Sequence, residues 1–188
     1  FLVLMALIQG SHAAYYGFSA IHWKAAGHSE DVIGYLWSLG VAAEVAVFAL
    51  SKRLFAGWSL RTLFVVAAGG VMLRWGMTAS TTSILALVVV QMLHGVTFAM
   101  AHIAAIQYIQ NSAENKMVAL QALYNAIPLG AFIALMTVIS GWGYEHWGAN
   151  IFWLMAAMGF VALFIKVEPQ NDESNVVDLS ANASEAQN

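Results

Sequence analysis

Five side chains in this 188-residue chain carry chemistry that their apolar surroundings make costly: His12, Glu44, Arg74, His94 and His102. Each lies inside an apolar run rather than at its end. A charged side chain at the centre of a hydrocarbon layer costs roughly 2.5–3.5 kcal/mol on insertion scales, so such a group faces a cavity or a partner. A buried carboxylate has a raised proton affinity and an imidazole titrates near neutral pH, whereas a guanidinium keeps its charge and offers a planar fork to an anion. The types therefore point to binding a proton and an anion rather than to making or breaking bonds.

Spacing sharpens this. Trp37, Gly40, Glu44 and Phe48 fall on one helical stripe, as do Gln91, His94, Phe98 and His102. By helical rise, Glu44 is about 18 Å and His94 about 16 Å from the same end of their runs, so the two groups share a depth and form a candidate proton-coupling pair. Arg74 lies nearer that surface, about 9 Å below it, which argues against a permanent salt bridge to Glu44. It is a candidate for an anionic substrate, or else a snorkelling arginine beside Trp75. Gln9, His12 and Tyr16, with Tyr15 beside them, and Gln121, Tyr124, Asn125 and Pro128 make two further polar-aromatic stripes that need protein or water rather than lipid. His12, Tyr15, Tyr16, Trp37, Gln91, Phe98, Tyr124 and Asn125 join Arg74 as candidate substrate-binding residues.

The elements that must position these groups are membrane helices. Charged residues make up only 9% of the chain against the quarter usual in soluble domains, and 61% is hydrophobic. Six spans are predicted, over about residues 1–23, 32–51, 60–79, 83–109, 117–140 and 149–166, followed by a disordered tail over 167–188. The fourth exceeds what a bilayer needs, which predicts tilt. Five acids and no base lie beyond Val167, so the net charge of −3 hides a basic membrane region. Lys52, Arg53, Arg61, Lys116 and Lys166 fall on one side of a six-span topology, against Lys24 on the other. That bias predicts a cytoplasmic C-terminus, with Trp23, Trp75, Trp142 and Trp147 at the outer interface. Phe1 already lies in an apolar run, so the sequence reads as a piece beginning in or just before a helix.

Other chemistries find no support. There is no cysteine, H-E-x-x-H zinc motif or phosphate loop, and neither metal nor cofactor is expected. Gly17-Phe-Ser19-Ala lacks the second glycine of a nucleophile elbow, which leaves a membrane hydrolase remote and an enzyme unexpected. Nothing suggests nucleic-acid binding. A stand-alone six-helix channel or structural subunit remains the rival to a carrier.

The segments Gln9-Gly-Ser-His-Ala-Ala-Tyr-Tyr-Gly-Phe-Ser-Ala-Ile-His-Trp23, Val32-Ile-Gly-Tyr-Leu-Trp-Ser-Leu-Gly-Val-Ala-Ala-Glu-Val45 and Gln91-Met-Leu-His-Gly-Val-Thr-Phe98 closely resemble the C-terminal half of bacterial 3-phenylpropionate permeases. These are carriers of the major facilitator superfamily. The resemblance implies an all-α membrane protein whose six helices form one half, a 3+3 inverted repeat, of a twelve-helix transporter. It also implies an N-terminal six-helix half as partner, the bacterial inner membrane as location, and proton symport of a small aromatic monocarboxylate. A proton-coupled sugar or nucleoside permease half is the alternative. Against the more distantly similar lactose permease, Arg74 and His94 match an arginine and a histidine of that family. Thr97 stands where that family has a coupling glutamate, and Glu44 comes one turn after its other acid. Coupling through Glu44 and His94 is therefore expected in place of that family's pattern.

Overall fold

The computed structural model describes residues 1–167; the tail expected over 167–188 lies, but for Val167, outside the described residues. The described residues are helical almost throughout. In order they form α1 (Leu2–Gly10), α2 (Ala13–Ala25), α3 (Glu30–Leu54), α4 (Leu60–Ser80), α5 (Ile84–His94), α6 (Ala101–Gln110), α7 (Glu114–Ala126), α8 (Ile133–Trp147) and α9 (Ile151–Ala162). Wide π-helical turns, Gly95–Met100 and Ile127–Phe132, join α5 to α6 and α7 to α8. A 3-10 turn, Gly148–Asn150, precedes α9.

Local sequence sets the starts. The hydroxyls of Ser29, Ser59 and Ser83 each accept a hydrogen bond from the backbone N–H three residues on, capping α3, α4 and α5. On α3, Glu30 and Asp31 occupy the first turn and Lys52 and Arg53 the last, each opposing the helix dipole. Gly27, Gly57 and Gly148 adopt positive φ at helix junctions, where a side chain would be strained. Pro128 lacks an N–H, and the wide turn around it is how that helix continues past the missing donor.

Four runs are long and apolar enough to cross a membrane: Glu30–Leu54, Leu60–Ser80, Ile84–Gln110 and Glu114–Ala162. The last is not one straight rod, because α8 and α9 run in opposite directions. Phe1 packs near Phe64 and Ser11 near Trp75, so α1–α2 runs parallel to α4. Gly10 faces Phe132 and Met136 while Gly141 faces Phe18, so α8 follows α1–α2. Gly76 faces Trp153 while Gly159 faces Ala68, Val71 and Met72, so α9 opposes α4. Gly148, at φ 55°, is where the chain reverses.

Close approach at glycine fixes two of the packings. A Cβ on Gly95 would sit 2.7 Å from Val47 Cγ2 and 2.8 Å from the Ala43 carbonyl oxygen, so α3 and the π turn touch backbone to side chain and backbone. One on Gly159 would sit 2.6 Å from Val71 Cγ1 and 2.8 Å from the Met72 nitrogen. Small residues at such crossings are what membrane helices use in place of a hydrophobic driving force.

The helix ends differ from the sequence reading in instructive ways. The first run breaks at Ser11–His12, where the Ser11 hydroxyl and the His12 ring both bond the Ile8 carbonyl oxygen. The fourth run is interrupted by its π turn, which adds a residue to the helical register. Trp23 and Trp75, expected at the outer interface, are instead fully buried in the bundle; Trp142 and Trp147 are half exposed. Trp75 is held by an Nε1–H bond to the Ser11 hydroxyl at 3.0 Å.

Candidate functional site

Where α1–α2, α3, α4 and the α5–α6 run meet, one polar cluster occupies the middle of the bundle. Arg74 is its hub, with no exposed surface. This excludes the snorkelling alternative: the guanidinium points inward. Nε donates to the Val90 carbonyl oxygen at 3.0 Å, and Nη2 to Gln91 Oε1 at 3.3 Å. Nη1 lies 2.8 Å from His94 Nδ1 and donates to Thr97 Oγ1 at 3.1 Å. Its planar face lies 4.6 Å from the Tyr15 ring centroid and 4.3 Å from that of Trp75. Every one of these partners is uncharged.

Gln91 ties three helices together. Its Nε2 donates to the Tyr15 hydroxyl at 2.9 Å and to the Leu36 carbonyl oxygen at 2.8 Å. That Leu36 carbonyl belongs to α3 and Tyr15 to α2, so the amide fixes both against α5. Tyr15 stacks on Trp37 at 4.5 Å between centroids.

Glu44 reaches the cluster through His94. Its Oε2 lies 3.4 Å from His94 Nε2, and its side chain is 24% exposed against 6% for His94. Glu44 and Arg74 thus contact opposite nitrogens of one imidazole. On the other side, His12 Nε2 lies 3.2 Å from Thr97 Oγ1. The rings of His94, Phe98 and His102 stack at one-turn intervals along the π turn and α6, at 5.3 and 6.2 Å. His102 Nδ1 in turn lies 2.8 Å from the Tyr124 hydroxyl. π-helical turns recur at functional sites, and this one carries Thr97 and Phe98.

The cluster has an inner and an outer layer. His12, Tyr15, Arg74, Gln91, His94 and Thr97 are buried, while Trp37, Glu44, Phe98 and His102 are partly exposed and Tyr16 is 41% exposed. A buried cation with neutral ligands therefore sits behind a carboxylate and an aromatic rim.

Most of the candidate residues come together, and one does not. Asn125 is exposed, accepts a hydrogen bond from Gln121 Nε2, and lines a separate shallow groove with Ile106 and Val118. Tyr124, its chain neighbour, is fully buried against Phe1 and His102. Thr97 enters the cluster as a bonded member rather than only a departure from another family's pattern. Its position three residues after His94, on the same helical face, is the signal that could have placed it there.

The "Probable 3-phenylpropionic acid transporter" of Escherichia coli (strain K12) is 47% identical over 166 residues, 88% of this chain. The chain spans only 44% of that relative's length. No solved structure matches. The family model described as "MFS_1 like family" matches residues 1–155. With most of its length matched, the chain belongs to the MFS_1 like family.

Proposed function

We propose that this chain is the C-terminal half of a secondary transporter that carries a small aromatic monocarboxylate together with a proton, and that Arg74, His94 and Glu44 couple the two. The observation that carries this reading is the charge arrangement. Among the described residues no carboxylate contacts Arg74, and Glu44, one imidazole away, is the acid that offsets it. In the resting site the two charges sum to zero. An incoming carboxylate makes the sum −1, and protonation of Glu44 restores neutrality. Moving an unbalanced charge through a low-dielectric interior is expensive, so anion and proton cross together.

Arg74 attracts the substrate carboxylate from behind Tyr15 and Gln91, while Tyr16, Trp37 and Phe98 provide aromatic surface for its ring. The aromatic acid as substrate class rests on the name of the Escherichia coli relative and on this rim. We assign the chain six membrane crossings in a 3+3 arrangement within the inner membrane. The alternating helix directions and the reversal at Gly148 support six, and the basic side near Lys52, Arg53 and Lys166 supports a cytoplasmic C-terminus. An N-terminal half of similar size is the partner, and it would cover the exposed face bearing Tyr16 and Glu44.

The test is uptake of radiolabelled 3-phenylpropionate by the complete carrier in vesicles. Accumulation should require an inward proton gradient and collapse with a protonophore. Accumulation that ignores the gradient, or uptake of a disaccharide in preference, would remove this reading.

A further inference from the structure

Hydrogen-bond donors and acceptors in the cluster can be assigned from its two fixed ends. Arginine has N–H groups only, so His94 Nδ1, 2.8 Å from Arg74 Nη1, is the acceptor and carries no hydrogen. The remaining His94 hydrogen is then on Nε2, facing Glu44 Oε2 at 3.4 Å. At the other end, the Ile8 carbonyl oxygen can only accept, so His12 Nδ1, at 3.1 Å, is a donor. His12 Nε2 is then bare, and its neighbour at 3.2 Å is Thr97 Oγ1. The Thr97 hydroxyl supplies the hydrogen. Its lone pair meanwhile accepts from Arg74 Nη1 at 3.1 Å.

The two Nη1 hydrogens of Arg74 are thus divided between His94 and Thr97, and the chain of donors runs outward in both directions. One arm is Arg74 to His94 to Glu44; the other is Arg74 to Thr97 to His12 to Ile8. Thr97 has a second acceptor in reach, the His94 carbonyl oxygen at 3.4 Å. That contact is the longer of the two, and protons on both nitrogens of His12 would force the hydrogen onto it. Such protonation would set a second positive charge close to Arg74, with neutral Tyr16, Trp75, His94, Phe98 and Thr97 around it and no acid in contact among the described residues.

We propose that Thr97 is a positioning residue of the coupling site: with the His94 tautomer fixed by Arg74 and that of His12 by Ile8, its hydroxyl accepts from Arg74 and donates to the bare His12 Nε2, which keeps His12 neutral and leaves Glu44 as the group open to the proton. The inference rests on the carrier reading above for its consequence in transport, but the tautomers can be measured without it. His94 cannot take a proton on Nδ1 without expelling Arg74. Glu44, partly exposed, can take one with no bond to Arg74 disturbed. The titratable or charged groups around His94 are Arg74 from α4, Glu44 from α3, and His12 and Tyr15 from the first run.

The experiment is nitrogen-15 NMR of the complete carrier labelled at histidine, paired with pH profiles of uptake. Wild type should show one buried imidazole with hydrogen on Nδ1 (His12) and another with hydrogen on Nε2 (His94). Thr97→Val, which keeps the shape and loses the hydroxyl, should shift the bare Nε2 signal of His12. It should also lower uptake about tenfold, in line with an unpaired buried donor and acceptor, and add a second ionisation to the pH profile. Thr97→Ser should restore all three. If Thr97→Val does not fold, Thr97→Ala gives the same comparison with room for water. A doubly protonated His12 in wild type, or an unchanged imidazole spectrum in Thr97→Val, would overturn the proposal. Uptake that proves independent of protons in wild type would sink the carrier reading alone, because the imidazole spectrum still decides the part played by Thr97.

Discussion

Arg74 Nη1 and His94 Nδ1 stand 2.8 Å apart, an arginine donating to a bare imidazole nitrogen rather than to an acid. The contact makes the arginine a structural clamp on the π turn as well as a charge. Lysine could not replace it, since one ammonium cannot span the Val90 carbonyl, Gln91, His94 and Thr97 together. Arg74→Lys should abolish uptake and lower thermal stability, each acceptor left unpaired costing about 1–3 kcal/mol. Retained uptake with an unshifted melting temperature would contradict the clamp.

Glu44→Gln mimics the protonated acid permanently. Substrate exchange across the membrane, which moves no net proton, should persist, while accumulation driven by a pH gradient is lost. The effect on stability should stay within about 1 kcal/mol, because the side chain sits on a partly open rim. Exchange and accumulation measured in the same vesicles check this; gradient-driven accumulation in the variant would take Glu44 out of the mechanism.

Gly95 has no room for a methyl group. Gly95→Ala places carbon against the Ala43 carbonyl oxygen and Val47, and a backbone atom cannot rotate away. A destabilisation of about 1–3 kcal/mol is expected, with α3 displaced and uptake reduced through Glu44. Gly69→Ala, whose added carbon meets nothing, is the matched control. Equal melting temperatures for the two variants would refute the argument.

His102 is bonded to Tyr124 at the far end of the stacked rings and makes no contact with Arg74 or Glu44 among those observed. His102→Asn should therefore leave proton-driven accumulation in place while changing affinity, and Tyr124→Phe should cost about 1 kcal/mol for the lost hydrogen bond. Loss of accumulation in His102→Asn would extend the coupling site beyond the residues proposed.

How far the sequence speaks differs from residue to residue. Equal depth along two helices was enough to pair Glu44 with His94, because depth is additive at a fixed rise and the helices run side by side. The same arithmetic kept Arg74 apart from Glu44, and indeed the two do not touch. What it could not contain was the length and direction of the arginine side chain, which reaches back along an antiparallel helix from Val90 to Thr97. Asn125 shares a stripe with Tyr124 on paper, yet one step along a helix turns about a hundred degrees, enough to put one inside and its neighbour outside. The π turns and the break at Ser11–His12 are invisible to any fixed period, since they are departures from it. Buried Trp75 shows the limit of reading tryptophan as an interfacial residue: a tertiary partner such as Ser11 serves its N–H as well as water does, whereas the N–H of buried Trp23 has no partner among the described residues.

The near-contact at Gly95 has a mechanical corollary. With the Ala43 carbonyl pressed against the π turn, the segments bearing Glu44 and His94 interlock like meshed teeth. Neither can slide a turn along the other. On the carrier reading proposed above, the two segments would swing as a single lever, with the acid and the imidazole keeping their separation throughout the stroke.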